Sequence, residues 1–457
     1  MARRAVIVGA GLGGCLLAHF LGQRGWRVDV FERRGDPRAA GFVGGRSINL
    51  AISARGLHAL ARAGLDAEVR EHGIRMPGRM LHARDGRTAF VPYSADPSRA
   101  IVSFGRSALN LMLLRAAAAH PGVALHFGRR CVGLDEAAGA AQFDDGSAHA
   151  ADLVVGADGA FSAVRAHLMR RERFDYSQAT LAHGYKELRI PPVSSGPHAP
   201  FAMEPHALHI WPRGGGMMIA LPNPDGSFTC TLFWPFDDPS APGARAPGAA
   251  SPAFATVRTG AEARALFARE YPDALALMPT LEEDFARNPV GTMVTVRCWP
   301  WTAAGRFALL GDAAHAIVPF YGQGANASFE DCEALVDALE RHGDAVPAAL
   351  AEYERARKPN ADAIADMALA NFVEMRDGTA RLAFRVRKRV DHWLNRLLPR
   401  AFVPLYDLVS FTTVPYAEAR ERARRQDRWV RAGGAVAGLC ALAAVAAGAV
   451  WAARRLG

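Results

Sequence analysis

The chain has little of what would mark a secreted, disulfide-stapled or metal-holding protein. Six cysteines, Cys15, Cys131, Cys230, Cys298, Cys332 and Cys440, are scattered through 457 residues without a CxxC pair or a metal-ligand spacing. That excludes a disulfide framework and implies no metal; it leaves reduced, mostly buried thiols in a cytosol-facing body. A signal peptide is missing too. Met1-Ala-Arg-Arg runs straight into Ala5-Val6-Ile7-Val8, an apolar run of the length of a first buried strand. No internal repeat is evident. Acidic residues are the minority among the charges, and the net charge of +9 invites a nucleic-acid partner. The excess is unevenly placed, however: residues 420–457 hold eight arginines against Glu421 and Asp427, a net +6 that leaves +3 for everything before. A basic tail suits anionic lipid better than nucleic acid.

With half of its residues apolar, the chain is long enough for two packed domains or one large α/β enzyme with an inserted substrate domain. A strand, glycine turn, helix and second strand fill residues 5–31, and apolar runs at 152–156 and 307–310 read as further strands of the same sheet. Between them the pattern changes to Leu208–Trp211, Met217–Leu221 and Ser227–Phe236. In the last run Phe228, Cys230, Leu232 and Trp234 alternate with Thr229, Thr231 and Phe233, after a turn at Asn223-Pro224-Asp225-Gly226. Residues 235–257, rich in proline, predict a mobile surface loop without chemistry. From 326 to 431 helical spacing dominates, broken by Pro359 and Pro399.

The first turn carries Gly9-Ala10-Gly11-Leu12-Gly13-Gly14. The spacing of Gly9, Gly11 and Gly14 lets the backbone turn tightly and approach a pyrophosphate at a helix N-terminus. Glu32 ends the second strand, 18 residues beyond Gly14, where its carboxylate can accept hydrogen bonds from an adenosine ribose. These residues predict nucleotide binding and leave NAD and FAD undivided.

Two further segments, Asp152-Leu153-Val154-Val155-Gly156-Ala157-Asp158-Gly159 and Ala308-Leu309-Leu310-Gly311-Asp312-Ala313-Ala314-His315, each end a buried strand in a small residue and an aspartate. Either aspartate alone would read as a helix N-cap. Together they resemble the paired motifs of the flavoprotein aromatic hydroxylases, and the resemblance makes the cofactor FAD. It implies that Asp312 bonds the ribityl chain and that Asp158 lies near the pyrophosphate, with a part in NADPH binding. It also implies that Ala325 and Asn326 contact the flavin ring, Ala325 standing where the family more often has methionine, and that Arg106 reaches the flavin side of the site. Leu12, Arg33 and Ala51 complete the implied cofactor set. The helix start after Pro319-Phe320-Tyr321-Gly322-Gln323-Gly324 would aim backbone N–H groups at the electron-rich end of a reduced flavin.

The implied fold is α/β. A Rossmann-like FAD-binding domain takes residues 1–175 and 291–340, with 75–100 reaching the substrate site. An inserted β-sheet substrate domain takes 176–290 and a helical C-terminal region 341–420. Residues 421–457 hold a basic segment and a transmembrane helix at 432–453.

Longer blocks narrow the resemblance to the kynurenine 3-monooxygenase family. They are Gly45–Ala51, Phe174–Gln178, His183–Leu188, His209–Arg213, Met217–Asn223 and Phe228–Phe236, spread through a match that runs from residue 5 to about 420. Kynurenine joins an aminophenyl ketone to a zwitterionic amino-acid end, so its site needs a cation for the carboxylate beside an apolar slot for the ring. By resemblance Arg79 and Tyr93 bind the carboxylate, and Asn371 and Tyr406 are the polar residues from the helical region. Leu221, Phe233, Pro319 and Phe320 form the ring slot, and Gln323 bonds the ketone or amine. The implied reaction, in tryptophan catabolism, reduces FAD with NADPH, traps O₂ as a flavin hydroperoxide and hydroxylates L-kynurenine ortho to its amine. No side chain serves as acid or base, and His315 reads as a core or supporting histidine. There is no second dinucleotide fingerprint, so NADPH is expected to bind transiently in a groove.

Residues 432–453 run 22 positions without a charge, enough at about 1.5 Å per residue to span a hydrocarbon core. Six arginines precede the run and two follow it, which predicts a membrane anchor with the body facing the cytoplasm. A docked helix in a soluble cytoplasmic protein is the other reading. Two rival functions stand beside the main one: an FAD hydroxylase of another aromatic acid, and a non-enzymatic membrane-attached flavoprotein acting as sensor or scaffold.

Overall fold

The computed structural model describes residues 2–40, 49–238, 252–377, 398 and 401–430. Its first strand, Arg4–Val8, is buried at every position after Arg4 and pairs in parallel with Arg27–Glu32 on one side and Leu153–Gly156 on the other. Strands buried on both faces must be almost continuously apolar. Leu153–Gly156 and Phe307–Leu309 meet that demand and stand next in line, giving the six-strand order 302–303, 307–309, 153–156, 4–8, 27–32, 123–127. The nucleotide sheet is thus built from segments about 300 residues apart in sequence, as the recurring apolar runs predicted.

A second sheet of seven strands takes the order 291–299, 175–190, 228–235, 217–222, 208–212, 78–82, 88–92. The three strands expected between 208 and 236 are its centre. The sixteen-residue strand Asp175–Ile190, not anticipated, carries the sheet out to Gly291–Trp299. Side chains alternate between the two faces. Trp211, Met218, Ala220, Cys230, Leu232 and Trp234 pack on one side against Phe267 and Phe285 from helices Gly260–Glu270 and Leu281–Arg287. Leu208, Ile219, Leu221, Thr231 and Phe233 turn to the opposite side, toward the nucleotide sheet. A small sheet of Asn49–Ile52, Ile101–Gly105 and Ile74–Met76 sits at the junction.

Helices Gly324–Arg341 and Val346–Asp377 cover the junction, followed by Leu405–Ser410 and a helix over residues 416–430. Pro359 does not break its helix, contrary to expectation. It removes the N–H that would reach the Arg355 carbonyl, but burial of Ala361, Ala363, Ile364 and Ala365 holds the helix in place. The proline-rich loop is only partly described. Residues 239–251 lie outside the described residues, as do Pro399, Cys440 and the apolar run 432–453, whereas Ala253 and Val257 pack back onto the second sheet's core. The other five cysteines are free and buried, as predicted. Among the described residues no helix is long and apolar enough to cross a membrane.

One buried carboxylate joins these layers. Asp331 accepts from the Gly311 N–H at 3.0 Å, His315 Nε2 at 2.5 Å and Arg357 Nε at 2.6 Å. His315 is thereby satisfied in the core, as its sequence context predicted. Burial works against the Asp331 charge, but His315 and Arg357 outweigh it and hold its pKa down to about 2. A depressed carboxylate stabilises the fold above its ordinary pKa and loses that contribution as the pH falls toward the folded value. Asp331→Asn should cost about 3 kcal/mol at neutral pH, the low end for a broken buried pair because Glu330 still faces Arg357 at 3.0 Å. In urea unfolding, the gap between wild type and variant should narrow as the pH falls from about 4 toward 2.

Candidate functional site

Between the two sheets lies a cavity of about 580 Å³. At one end is the glycine turn. Gly9 has φ +106°, and a Cβ there would stand 2.5 Å from the Ala157 carbonyl oxygen; one on Gly14 would stand 2.0 Å from the Gly9 carbonyl oxygen. Both glycines are needed for the approach of strand, turn and helix. Gly11 is different: nothing lies within 4 Å of its Cβ position, so that position opens into free space along the cavity wall. It is also the N-cap of helix Leu12–Gln23 with no side-chain cap, which leaves the first-turn N–H groups free for a phosphate.

Glu32 accepts from the Ala10 N–H at 3.0 Å and the Arg34 N–H at 3.0 Å, so its carboxylate is fixed beside the turn with lone pairs to spare for hydroxyl donors. Asp158 uses one oxygen to accept from the Ala163 N–H at 2.7 Å, while Oδ1 is buried without a partner among the described residues. Burial raises its pKa. Leu12, Arg33, Ala51, Arg106, Asp312 and Ala325 all line the same cavity. An unfilled glycine cradle, free helix N–H groups and an orphaned carboxylate oxygen fit an elongated dinucleotide such as FAD.

Four arginines gather at the mouth, Arg33, Arg34, Arg129 and Arg130, all exposed. Only Arg33 was anticipated. The parallel register that pairs Glu32 with Phe127 brings the ends of two distant strands together, and with them the two Arg-Arg pairs.

At the other end Arg79, on strand Gly78–His82, has its guanidinium carbon 5.1 Å from the Tyr93 ring centre and 5.0 Å from that of Tyr406. The two phenols stack at 4.7 Å and 13°. Arg79 Nε and the Tyr93 hydroxyl are buried and have no hydrogen-bond partner among the described residues. Burial pushes the Tyr93 and Tyr406 hydroxyls up, so both remain neutral donors at physiological pH. Leu208, Ile219, Leu221 and Phe233 from the sheet face Pro319 and Phe320 across the space between the two ends. This half combines a cation, two phenols and an apolar slot.

Four expected residues stand behind the wall instead of in it. Gln323 is 1% exposed and its carboxamide oxygen accepts from Tyr416 at 2.9 Å and Ser53 at 3.4 Å. Asn326 holds the Ala51 and Gly322 carbonyls at 2.9 and 2.7 Å and accepts from the Ser53 N–H at 3.0 Å. Asn371 donates to the Phe320 carbonyl at 2.7 Å, fixing that ring, and Gly14 is buried against Gly9. The resemblance identified segments that border the cavity; which way each amide points depends on partners far away in sequence. Tyr185, Thr231 and Tyr321 line the cavity and were not anticipated, although Thr231 lies two residues from Phe233 on the same face of its strand.

The glycine turn gives a direct test. Gly9→Ala would need both a strained φ and a shift of the Ala157 backbone. The purified variant should carry less than about a tenth of the wild-type flavin, as two to three kcal/mol of strain would require, read from the ratio of flavin to protein absorbance.

Comparison with known proteins agrees with this geometry. The FAD binding domain family model matches residues 3–194 and 279–368. Among solved structures, a tetrameric 2-methyl-3-hydroxypyridine-5-carboxylic acid oxygenase superposes with a TM-score of 0.65 at 22% identity, covering 82% of this chain and 93% of that one. Pseudomonas aeruginosa PqsL in complex with 2-aminobenzoylacetate does so with a TM-score of 0.65 at 24% identity, covering 82% and 97%. These likenesses show the fold. A kynurenine 3-monooxygenase of Myxococcus xanthus is 48% identical over 415 residues, 90% of this chain and 86% of the relative. The enzyme of that name from Stenotrophomonas maltophilia is 47% identical over 429 residues, 93% and 90% of the two chains. Identity at this level over nine-tenths of the chain shows that it belongs to the kynurenine 3-monooxygenase family.

Proposed function

We propose that this protein hydroxylates L-kynurenine at the ring carbon ortho to its amine, with FAD as cofactor and NADPH and O₂ as co-substrates. The observation that carries the reading is Arg79, half-buried between Tyr93 and Tyr406 at one end of an apolar slot. A buried, unpaired guanidinium Nε beside a phenol with a buried, unpaired hydroxyl is costly unless a ligand anion completes it. A zwitterionic aryl ketone supplies that anion and leaves its flat ring for Phe233, Leu221, Pro319 and Phe320.

FAD bound along Gly9, Gly11, Glu32, Asp158 and Asp312 supplies the oxygen-activating chemistry. The chain's own residues position and dry the site. Arg79, Tyr93 and Tyr406 hold the carboxylate, the slot sets the plane of the ring, and Asn371 keeps Phe320 against Phe233 at 5.0 Å between ring centres. The arylamine already makes the ortho carbon electron-rich, so orientation and exclusion of water are the main protein contributions. No acid or base is assigned. The uncharged run 432–453, entered from the arginine-rich helix over 416–430, supports attachment to an anionic membrane surface.

FAD-loaded protein should consume NADPH markedly faster with kynurenine present and form 3-hydroxykynurenine, identified by mass; no such product would remove the substrate assignment. Arg79→Ala should weaken kynurenine binding by about 2 to 5 kcal/mol, read as a rise in apparent KM. Wild-type protein should pellet with anionic vesicles, and a chain ending at residue 431 should pellet far less.

A further inference from the structure

Thr231 lies in the middle of strand Phe228–Pro235 and is 2% exposed, yet its hydroxyl finds no hydrogen-bond partner among the described residues. It lines the cavity, between Ile219 on one neighbouring strand and Glu187 on the other, and two residues from Phe233 on the same face. A buried hydroxyl left unsatisfied costs on the order of 1–3 kcal/mol, and valine would fill the same space without that cost. Thr229 on the same face is paired with Asn223 and, like Glu187 opposite, does not line the cavity; the lining residues around Thr231, namely Ile219, Leu221 and Phe233, are apolar and give no packing reason for a threonine there.

Its place on the sheet says which part of a ligand it meets. Two strands separate it from the strand of Arg79, so at the usual ~4.8 Å spacing the two backbones are about 14 Å apart across the slot. With the carboxylate of an aromatic amino-acid ketone on Arg79, Thr231 lies at the aryl end. In a 2-aminophenyl ketone the ketone oxygen accepts one amine N–H internally, and the second N–H points outward. In a slot of Leu, Ile and Phe that N–H is stranded unless the wall offers an acceptor. Gln323 does not line the cavity; Thr231 does.

We propose that the Thr231 hydroxyl accepts a hydrogen bond from the outward N–H of the substrate arylamine, and so selects ring substrates bearing an amine beside the ketone. The inference rests on the substrate orientation proposed above. The bond also holds electron density on the amine nitrogen, and through it on the ortho carbon, while fixing which ring edge faces the flavin.

The test compares two ligands and three proteins, with dissociation constants read from the change in flavin absorbance of FAD-loaded enzyme. The ligands are kynurenine and its analogue lacking the ring amine. Thr231→Val should raise the constant for kynurenine about 3- to 10-fold, the loss of one hydrogen bond, and leave that of the analogue within about twofold. Thr231→Ser should restore kynurenine binding to within about twofold. The valine variant should unfold at the same temperature as wild type or higher, because it loses an unsatisfied group. An equal loss for both ligands, or no loss for either, would overturn the assignment of Thr231 while wild-type turnover of kynurenine still upheld the underlying reading. Absence of wild-type turnover would overturn both.

Discussion

The Asp331 carboxylate is the interaction on which the arrangement of layers depends. It sits on the first helix of the C-terminal cover, yet its partners belong to the nucleotide sheet and the long second helix: the Gly311 N–H at the turn before Asp312, His315 three residues on, and Arg357. Arg357 also meets Glu330, which in turn receives the fully buried Arg55, and Arg55 donates to carbonyls at Val409 and Leu408. One chain of alternating charges thus runs from the cofactor turn to the segment that carries Tyr406. Removing any one charge leaves a buried neighbour with fewer partners, so the chain favours a single docking of helices on sheets. The Gly311 turn and the arginine end of the slot are consequently set relative to one another by the same network.

Much of the cofactor half could be read from sequence because its chemistry is made by the backbone. Gly9, Gly11 and Gly14, or Gly311 with Asp312, are contiguous, and their function follows from which backbone conformations a residue permits. Arg34, Arg129 and Arg130 at the mouth escaped because the two Arg-Arg pairs meet only through parallel pairing of strands almost a hundred residues apart. Gln323, Asn326 and Asn371 show a different limit. The family resemblance placed them on segments that do border the cavity, but an amide turns toward its best partners, and Tyr416, Ser53 and the Phe320 carbonyl were out of sight in the linear pattern. Pro359 failed as a helix breaker for a similar reason: burial of one helix face outweighs one missing hydrogen bond.

The substrate half carries its polarity at its edges. Arg79, Tyr93 and Tyr406 form one pole and Thr231 stands at the far side, with hydrocarbon between. A ligand that lacks either polar end leaves a desolvated group behind, which is a stronger discriminator than any loss of apolar contact. Shape alone would accept many flat rings; the unsatisfied groups narrow the choice. The same logic accounts for neutral phenols beside Arg79, since burial keeps both tyrosines protonated and able to donate alongside the guanidinium.

The second sheet has its own core on the face turned away from the cavity, where Trp211, Trp234, Phe267 and Phe285 pack beneath two dedicated helices. Side chains on that face secure the strands, while those on the other face, such as Phe233 and Leu221, pack with the helical cover and with Tyr93 around the slot. Exchange of Ile219, Leu221, Thr231 or Phe233 reshapes the slot while the anchoring face and the glycine turn stay untouched. A protein built this way can acquire a taste for a new aromatic compound in few evolutionary steps, because the inherited machinery for oxygen chemistry and the part that meets novelty are carried on different surfaces.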